Sequence, residues 1–383
     1  MKRIHVVQLT SVHSAYDVRI LKECRSLADA GYQVTLIAPH SCDEITGGVQ
    51  IRGVSMVEGR FRRMTRTVWR IYREAVRQRA DIYHFHDPEL IPVGLLLKAR
   101  GKKVIYDAHE AYPQKILSKS WIPVRLRPLV SRLFAVVERI ASVSLDHVIV
   151  ADRWTAATLP GCHVTVVANY PVLARMLGMR FKGNSVPDKH SLIYAGGLED
   201  DRGLQVMLEI ARLLLDRDVE LHLLGDFEKP EDERHIRELR NVRYFGFQSL
   251  ETVYDRMRSA DIGLVLLQPV PAYLYAGENA LKLFEYMFCG LPVIASNFPN
   301  LRQIIKDTRC GVCVDPKRPD QAARAILHLL RRPKLREQLG ENGRNAVLKL
   351  YNWEAEEKKL LNVYRNVTNG GKAPVHSVPD YGD

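Results

Sequence analysis

Apolar residues fall along this chain in short runs separated by longer stretches of helical spacing. The run Ile4-His5-Val6-Val7-Gln8-Leu9 predicts a strand. Helical spacing follows over 18–30 and stops at Gly31, and Gln33-Val34-Thr35-Leu36-Ile37-Ala38 predicts the next strand. The alternation continues through strands over 82–85, 104–106, 147–150 and 164–168, with a helix near 90–98. Parallel strands need a crossover between them, so strands alternating with helices predict a parallel sheet covered on both faces.

After the polar stretch 182–188 the pattern restarts with Leu192-Ile193-Tyr194-Ala195-Gly196-Gly197. A helix is predicted over 204–215, with strands over 221–225, 242–245, 262–267 and 292–295. The expected fold class is α/β, with two doubly wound Rossmann-like domains over 1–175 and 185–350 that face each other across a central cleft. The hinge is placed in 170–190, a closing helix over 351–368 and a flexible tail over 369–383. Paired α/β domains take ligands beyond the carboxyl ends of their strands, which directs the search for chemistry.

Composition changes the picture in three ways. No run reaches the roughly 20 apolar residues of a spanning helix, and Met1-Lys2-Arg3 does not open a signal peptide, so the expected location is cytoplasmic. Six cysteines in 383 residues make no disulfide framework, and Cys310-Gly311-Val312-Cys313 is read as two half-buried residues around a glycine turn. The net charge of +12 is uneven: residues 1–172 hold 25 Lys and Arg against 15 Asp and Glu. That excess suits a phosphate-rich partner such as a nucleotide sugar, an anionic membrane or nucleic acid.

Four segments can carry chemistry. In Tyr194-Ala195-Gly196-Gly197-Leu198-Glu199-Asp200-Asp201-Arg202-Gly203, glycines at a strand end let backbone N–H groups approach a diphosphate, and Arg202 adds a forked cation; a plain strand–helix turn is the alternative. In Gly277-Glu278-Asn279-Ala280-Leu281-Lys282-Leu283-Phe284-Glu285, helical spacing sets Glu278, Lys282 and Glu285 near one face. A carboxylate there can grip a ribose diol and a lysine a phosphate; an exposed ion-pair ladder is the alternative. His109 follows the strand 104–106, and the segment His84-Phe85-His86-Asp87-Pro88-Glu89 ends another strand in the same way. Metal binding by His84, His86, Asp87, His109 and Glu110 is weighed and set aside in favour of hydrogen bonding. Finally, the loop after the first strand carries His13, Asp17 and Arg19, with Asp17 also placed to cap the next helix.

In this order and over residues 4–364, these segments resemble the retaining glycosyltransferases of the GT-B fold, the group called family 4. The most specific piece runs from Lys282 through Glu285-Tyr286-Met287 to Gly290-Leu291-Pro292-Val293-Ile294. The resemblance implies that Glu285 holds the nucleotide ribose, that Arg202 and Lys282 contact the diphosphate, and that His109 faces the transferred sugar. Gly196, Gly197, Glu278 and Asn279 join the donor site, while His13, Asp17, Arg19, Asp87 and Glu89 are placed on the acceptor side. The family's acidic pair is normally separated by seven residues, which falls on Gly277 here; the nearest acid is Glu278, one position on.

The activity this implies is transfer of a sugar from a UDP- or GDP-linked donor to a glycan or lipid-linked acceptor, with retention of configuration, in cell-surface polysaccharide synthesis. The nucleotide sugar is a co-substrate; no cofactor is implied, and no metal is required. The segments 60–79 and 115–139 interleave Arg with Phe61, Met64, Trp69, Tyr72 and Trp121, which suits peripheral contact with an anionic membrane at its inner face; solvated arginines over buried apolar faces are the alternative. A nucleotide-sugar epimerase of the same fold and a non-catalytic nucleotide-binding module are the rival readings. No nucleic-acid recognition motif is present, and nucleic acid is not an expected partner.

Overall fold

The structure, a computed structural model, describes residues 3–57, 59, 62–119, 121–159, 163–178, 189–229, 233, 236, 238–271, 273–274, 277 and 280–370. The chain forms two compact units. One comprises Met1–Asn169 with Ala355–Asp383, the other Tyr170–Glu354.

The first unit is built on an eight-stranded sheet. Its strands are β1 (His5–Leu9), β2 (Gln33–Pro39), β3 (Glu44–Thr46), β4 (Val49–Val54), β5 (Ile82–Phe85), β6 (Lys103–Ala108), β7 (His147–Val150) and β8 (Val164–Val166). The order is β3-β4-β2-β1-β5-β6-β7-β8, and all pairs are parallel except β3 with β4. The β3–β4 hairpin adds to the expected elements: β3 has only three residues, whereas β4 carries a short alternation, Val49-Gln50-Ile51-Arg52, that the expected elements leave out. Helices α1 (Val18–Asp29), α2 (Val68–Gln78), α3 (Ile91–Ala99) and α4 (Arg127–Ser144) lie between the strands. Every residue of β5 and of β7 is buried, which matches strands covered on both faces. Phe85 stacks on Tyr106 at 4.8 Å within the core.

Glu138 on α4 is buried and accepts the Tyr106 hydroxyl at 2.9 Å. Burial pushes its carboxyl up to about 7, against the pull of that hydrogen bond. The folded protein therefore keeps a proton that the unfolded chain releases near 4.5, and stability falls as pH rises between those two values. Glu138→Gln keeps the acceptor and removes the charge. Its thermal melts are expected to gain on the order of 3 kcal/mol above about pH 8 and little below about pH 4.5. An equal gain at both pH values would contradict this account.

The second unit holds β9 (His190–Ala195), β10 (Val219–Leu224), β11 (Val242–Tyr244), β12 (Ile262–Val265), β13 (Val293–Ser296) and β14 (Gly311–Val314). Their order, β11-β10-β9-β12-β13-β14, is parallel throughout. Cys310 therefore precedes an edge strand and Cys313 lies within it, rather than around a glycine turn, and Cys310 is buried. Helices α5 (Leu204–Leu213), α6 (Leu250–Ser259), α7 (Leu281–Phe288) and α8 (Pro333–Lys349) pack in this unit. The closing helix α9 (Trp353–Thr368) belongs to the first unit from Ala355 onward. There Glu356 accepts the Ala168 N–H at 2.9 Å, and Tyr364 OH pairs with His84 Nδ1 at 2.8 Å. Among the described residues no helix is long and apolar enough to cross a membrane.

Candidate functional site

In the second unit β9 runs out into Gly196-Gly197. The turn is stitched to the end of β10: Gly196 N–H donates to Leu224 O and Leu198 N–H to Asp226 O, each at 2.8 Å. The expected cradle of amides is thereby corrected to a smaller one. Of these three consecutive N–H groups, only that of Gly197 takes no partner among the described residues. A 3₁₀ turn, Asp200–Arg202, leads to Gly203 at φ +90°, and a Cβ there would stand 2.1 Å from Leu266 O. Only glycine permits that approach, which starts α5 against the end of β12.

Arg202 therefore sits at the mouth of α5, its Nε 3.2 Å from Glu199 Oε2. A Cβ built on Gly197 would lie 3.5 Å from its Nη1, and one on Gly196 would lie 3.3 Å from Lys282 Cε. Lys282 Nζ pairs with Glu285 Oε2 at 2.9 Å, and Tyr254 OH donates to Glu285 Oε1 at 3.3 Å. Burial pushes the Tyr194 hydroxyl up to about 12, partly offset by Arg202 nearby; it donates to Gly197 O at 2.9 Å.

Gly196, Gly197, Arg202, Lys282 and Glu285 thus converge, two cations and a carboxylate around a glycine turn. Glu278 and Asn279 lie outside the described residues. Helix α7 begins at Leu281 and carries Lys282 and Glu285 on one turn; the part of the expected face at Glu278 lies outside the described residues. Tyr254 has no signal in the sequence, because α6 reaches Glu285 only through tertiary packing.

In the first unit the carboxyl ends of β1, β5 and β6 meet in a polar cluster centred on Asp107. Arg19 grips it with two hydrogen bonds of 2.9 Å. His86 Nδ1 stands 3.2 Å and His109 Nε2 3.4 Å from Asp107 Oδ2, and the two rings approach at 3.1 Å. Burial alone would raise the Asp107 carboxyl, but Arg19, then His109 and His86, hold it well below the usual carboxylate range. Glu23, also fully buried, is pushed well above its usual range by burial and by the charge of Asp107. Arg19 Nε lies 3.2 Å from Glu23, but its charge is already matched by Asp107. His109 alone of this group is open to solvent, with 18% of its side chain exposed.

Arg19 is the clearest correction. Expected on the acceptor side, it is buried, and its remaining donor goes to Val167 O at 2.7 Å; it is the counter-ion of the cluster. Asp87 is corrected in the same way. Buried, it accepts the Thr10 hydroxyl at 2.8 Å and the Ser11 and Val12 N–H groups, fastening the loop after β1. Glu89 accepts Ser11 Oγ at 2.7 Å and pairs with Arg63, which ties the same loop.

Asp17 caps α1, accepting from the N–H groups of Arg19 and Ile20. It also holds His13 Nδ1 at 3.2 Å, and the His13 ring is 5.1 Å from that of His109. That hydrogen bond, opposed by burial and helped by Asp87, raises His13 above its usual value. Asp107, the centre of this cluster, is the residue that sequence reasoning misses. The available signal is its position two residues before His109 at a strand end, which puts both side chains on one side.

Two Rossmann-like α/β units, with a glycine turn, paired cations and a carboxylate in the second and a histidine at a strand end in the first, define a glycosyltransferase of the GT-B fold. The chain belongs to that family. Residues 17–169 match the Glycosyltransferase Family 4 model, and residues 178–346 match Glycosyl transferases group 1. The phosphatidyl-myo-inositol mannosyltransferase of Mycolicibacterium smegmatis is 23% identical over 363 residues, covering 92% of this chain and 90% of that protein. The alpha-D-kanosaminyltransferase of Streptomyces kanamyceticus is 28% identical over 186 residues, 47% of this chain and 46% of its own. Among solved structures, sucrose-phosphate synthase from Thermosynechococcus elongatus superposes with a TM-score of 0.75 at 19% identity, over 96% of this chain and all of that one. HepE from Anabaena, in complex with UDP, superposes with a TM-score of 0.67 at 13% identity, over 95% of this chain and all of that one.

Proposed function

We propose that this glycosyltransferase takes a UDP- or GDP-linked sugar and transfers it, with retention, to a lipid-linked or glycan acceptor in cell-surface polysaccharide synthesis. The observation that carries the donor reading is the convergence of Arg202 and Lys282 on the Gly196-Gly197 turn, with Glu285 beside them. As the sugar–diphosphate bond breaks, negative charge grows on the departing diphosphate. Arg202, Lys282 and the Gly197 N–H stabilise it, doing without a metal the work that a bound cation does elsewhere. Glu285 exchanges its contacts to Lys282 and Tyr254 for the ribose diol. His109, held by Asp107 and His86, orients the transferred sugar. The phosphate oxygen that leaves takes the acceptor's proton as the new bond forms on the same face.

Thermal shift against a panel of nucleotide sugars tests this. One UDP- or GDP-sugar is expected to stabilise the wild type and not Glu285→Ala, with nucleotide release lost in His109→Ala. No stabilisation by any donor would sink the reading, and release of an isomerised nucleotide sugar would favour an epimerase.

The acceptor side of the proposal is contact with an anionic membrane at its inner face. On α4, Leu129, Leu133, Val136, Val137, Ile140 and Val143 are each more than half exposed, and Val124 and Leu126 extend the stripe. Its exposed charged neighbours, Arg125, Arg132 and Arg139, are all cations, and the one acid of α4, Glu138, is buried. A second copy packed on this face would oppose arginine to arginine, whereas an anionic bilayer complements both the charge and the apolar stripe. A relative named for phosphatidyl-myo-inositol agrees with a lipid acceptor. In a flotation assay the protein is expected to rise with anionic but not zwitterionic vesicles. Leu133→Asp with Ile140→Asp should weaken binding by at least about tenfold, since two large side chains leave the bilayer. Unchanged flotation of that variant, or none of the wild type at low salt, would refute the assignment.

A further inference from the structure

The turn between β2 and β3 carries a constellation that sugar transfer does not use. His40, Cys42 and Glu44 occupy alternate positions, separated by Ser41 and Asp43. His40 Nε2 lies 3.8 Å from Cys42 Sγ and 3.6 Å from Glu44 Oε1, and the three ligand atoms all fall within 4.8 Å of one another. A tetrahedral zinc ion with its usual bond lengths sets N and S about 3.6 Å apart and N and O about 3.4 Å apart. The two measured edges exceed those values by only about 0.2 Å.

The backbone under these side chains is held by contacts that do not involve them. Asp43 takes the Arg52 guanidinium and the Gly53 N–H at 2.9 Å. A Cβ on Gly53 would meet Cys42 O at 2.7 Å and His40 O at 2.8 Å, so the turn folds onto β4 only because that residue is glycine. Tyr16 donates its hydroxyl to Glu44 and sets its ring edge-on to His40 at 5.6 Å, an outer partner that orients two of the three groups. Cys42 is exposed, in contrast to the buried Cys24 and Cys310.

We propose that His40, Cys42 and Glu44 bind a divalent transition ion, zinc foremost, in a tetrahedral site whose fourth position is open to water. The nitrogen, sulfur and oxygen donor set suits a borderline-soft ion and not magnesium or calcium, which prefer oxygen ligands. Cys42 passes its thiol proton to solvent as the sulfur–metal bond forms. Tyr16 lies in the loop that carries His13, so a bound ion fixes that loop against the hairpin. Among the described residues the other grouping of metal-type ligands, Glu23, His84, His86 and Asp107, is already served: Arg19 supplies its cation, and His86 Nε2 bonds Gln8 Oε1 at 2.9 Å.

The test is titration of the reduced, chelator-stripped full-length protein with cobalt(II), which reports coordination by its spectrum. A thiolate-to-cobalt band and the ligand-field bands of a four-coordinate ion are expected, saturating at one ion per chain and bleached by zinc but not by magnesium. Cys42→Ser should abolish the thiolate band, and His40→Ala and Glu44→Gln should each weaken binding at least about tenfold. The melting temperatures of the metal-free variants should stay at the wild-type value, which separates a lost ligand from a lost fold. No thiolate band, or one that survives Cys42→Ser, overturns the proposal, and neither result touches the donor reading.

Discussion

Lys282→Ala is expected to lower kcat for sugar transfer by roughly 10²–10³-fold, the scale on which losing one preorganised group that meets developing charge acts. Lys282 lies over the Gly196 backbone and pairs with Glu285. Its charge matters most when the diphosphate departs, so the loss falls on kcat more than on KM. Alanine also strips Glu285 of its cation, leaving a bare carboxylate beside an anionic donor. Adding Glu285→Gln relieves that repulsion but gives up the carboxylate grip on the ribose diol, so the double variant should bind donor no better than Lys282→Ala and remain slow. Initial-rate measurements across donor concentrations separate the two effects. A Lys282→Ala enzyme with wild-type kcat would remove Lys282 from the transfer step.

Arg19→Met is expected to destabilise the first unit by about 3–5 kcal/mol, the usual cost of breaking a buried ion pair from one side. It leaves Asp107 charged and buried without its bidentate partner, and Val167 O without its donor. Adding Asp107→Asn removes the stranded charge and should recover much of the stability. It should not recover transfer, because the amide no longer holds His86 and His109 as the carboxylate does. Thermal and urea unfolding, read beside activity, test both halves of this expectation. A stable Arg19→Met protein would return Arg19 to the acceptor-side role expected from the sequence.

The periodic features of the chain are legible in the amino-acid sequence alone. Largely apolar runs such as 82–85 and 147–150, each with one histidine, are strands at those positions, because parallel strands covered on both faces are mostly apolar. The glycine turn with its cations is legible for a related reason. Glycines at a strand end, a cation at the next helix mouth and a Lys–Glu pair one helical turn apart are local patterns, and local patterns survive in sequence. Strand β3 is not, since three residues show no period, while β4 does alternate over Val49-Gln50-Ile51-Arg52 and is legible in principle.

What only the tertiary structure decided is which of several polar residues at the strand ends meet. His13, Arg19, Asp87 and His109 look alike in sequence, as polar residues just beyond strands. Their partners lie 75 or more positions away for Asp87 and 88 away for Arg19, and burial separates them into fasteners, a counter-ion and a partly exposed histidine. The outward apolar stripe of α4 is equally hidden: spacing shows that a helix has an apolar face, but not whether that face is covered. Sequence by itself determined most of the elements and the glycine turn with its cations, because these depend on neighbours along the chain. Charge pairing and exposure depend on neighbours in space, and those only the fold supplies.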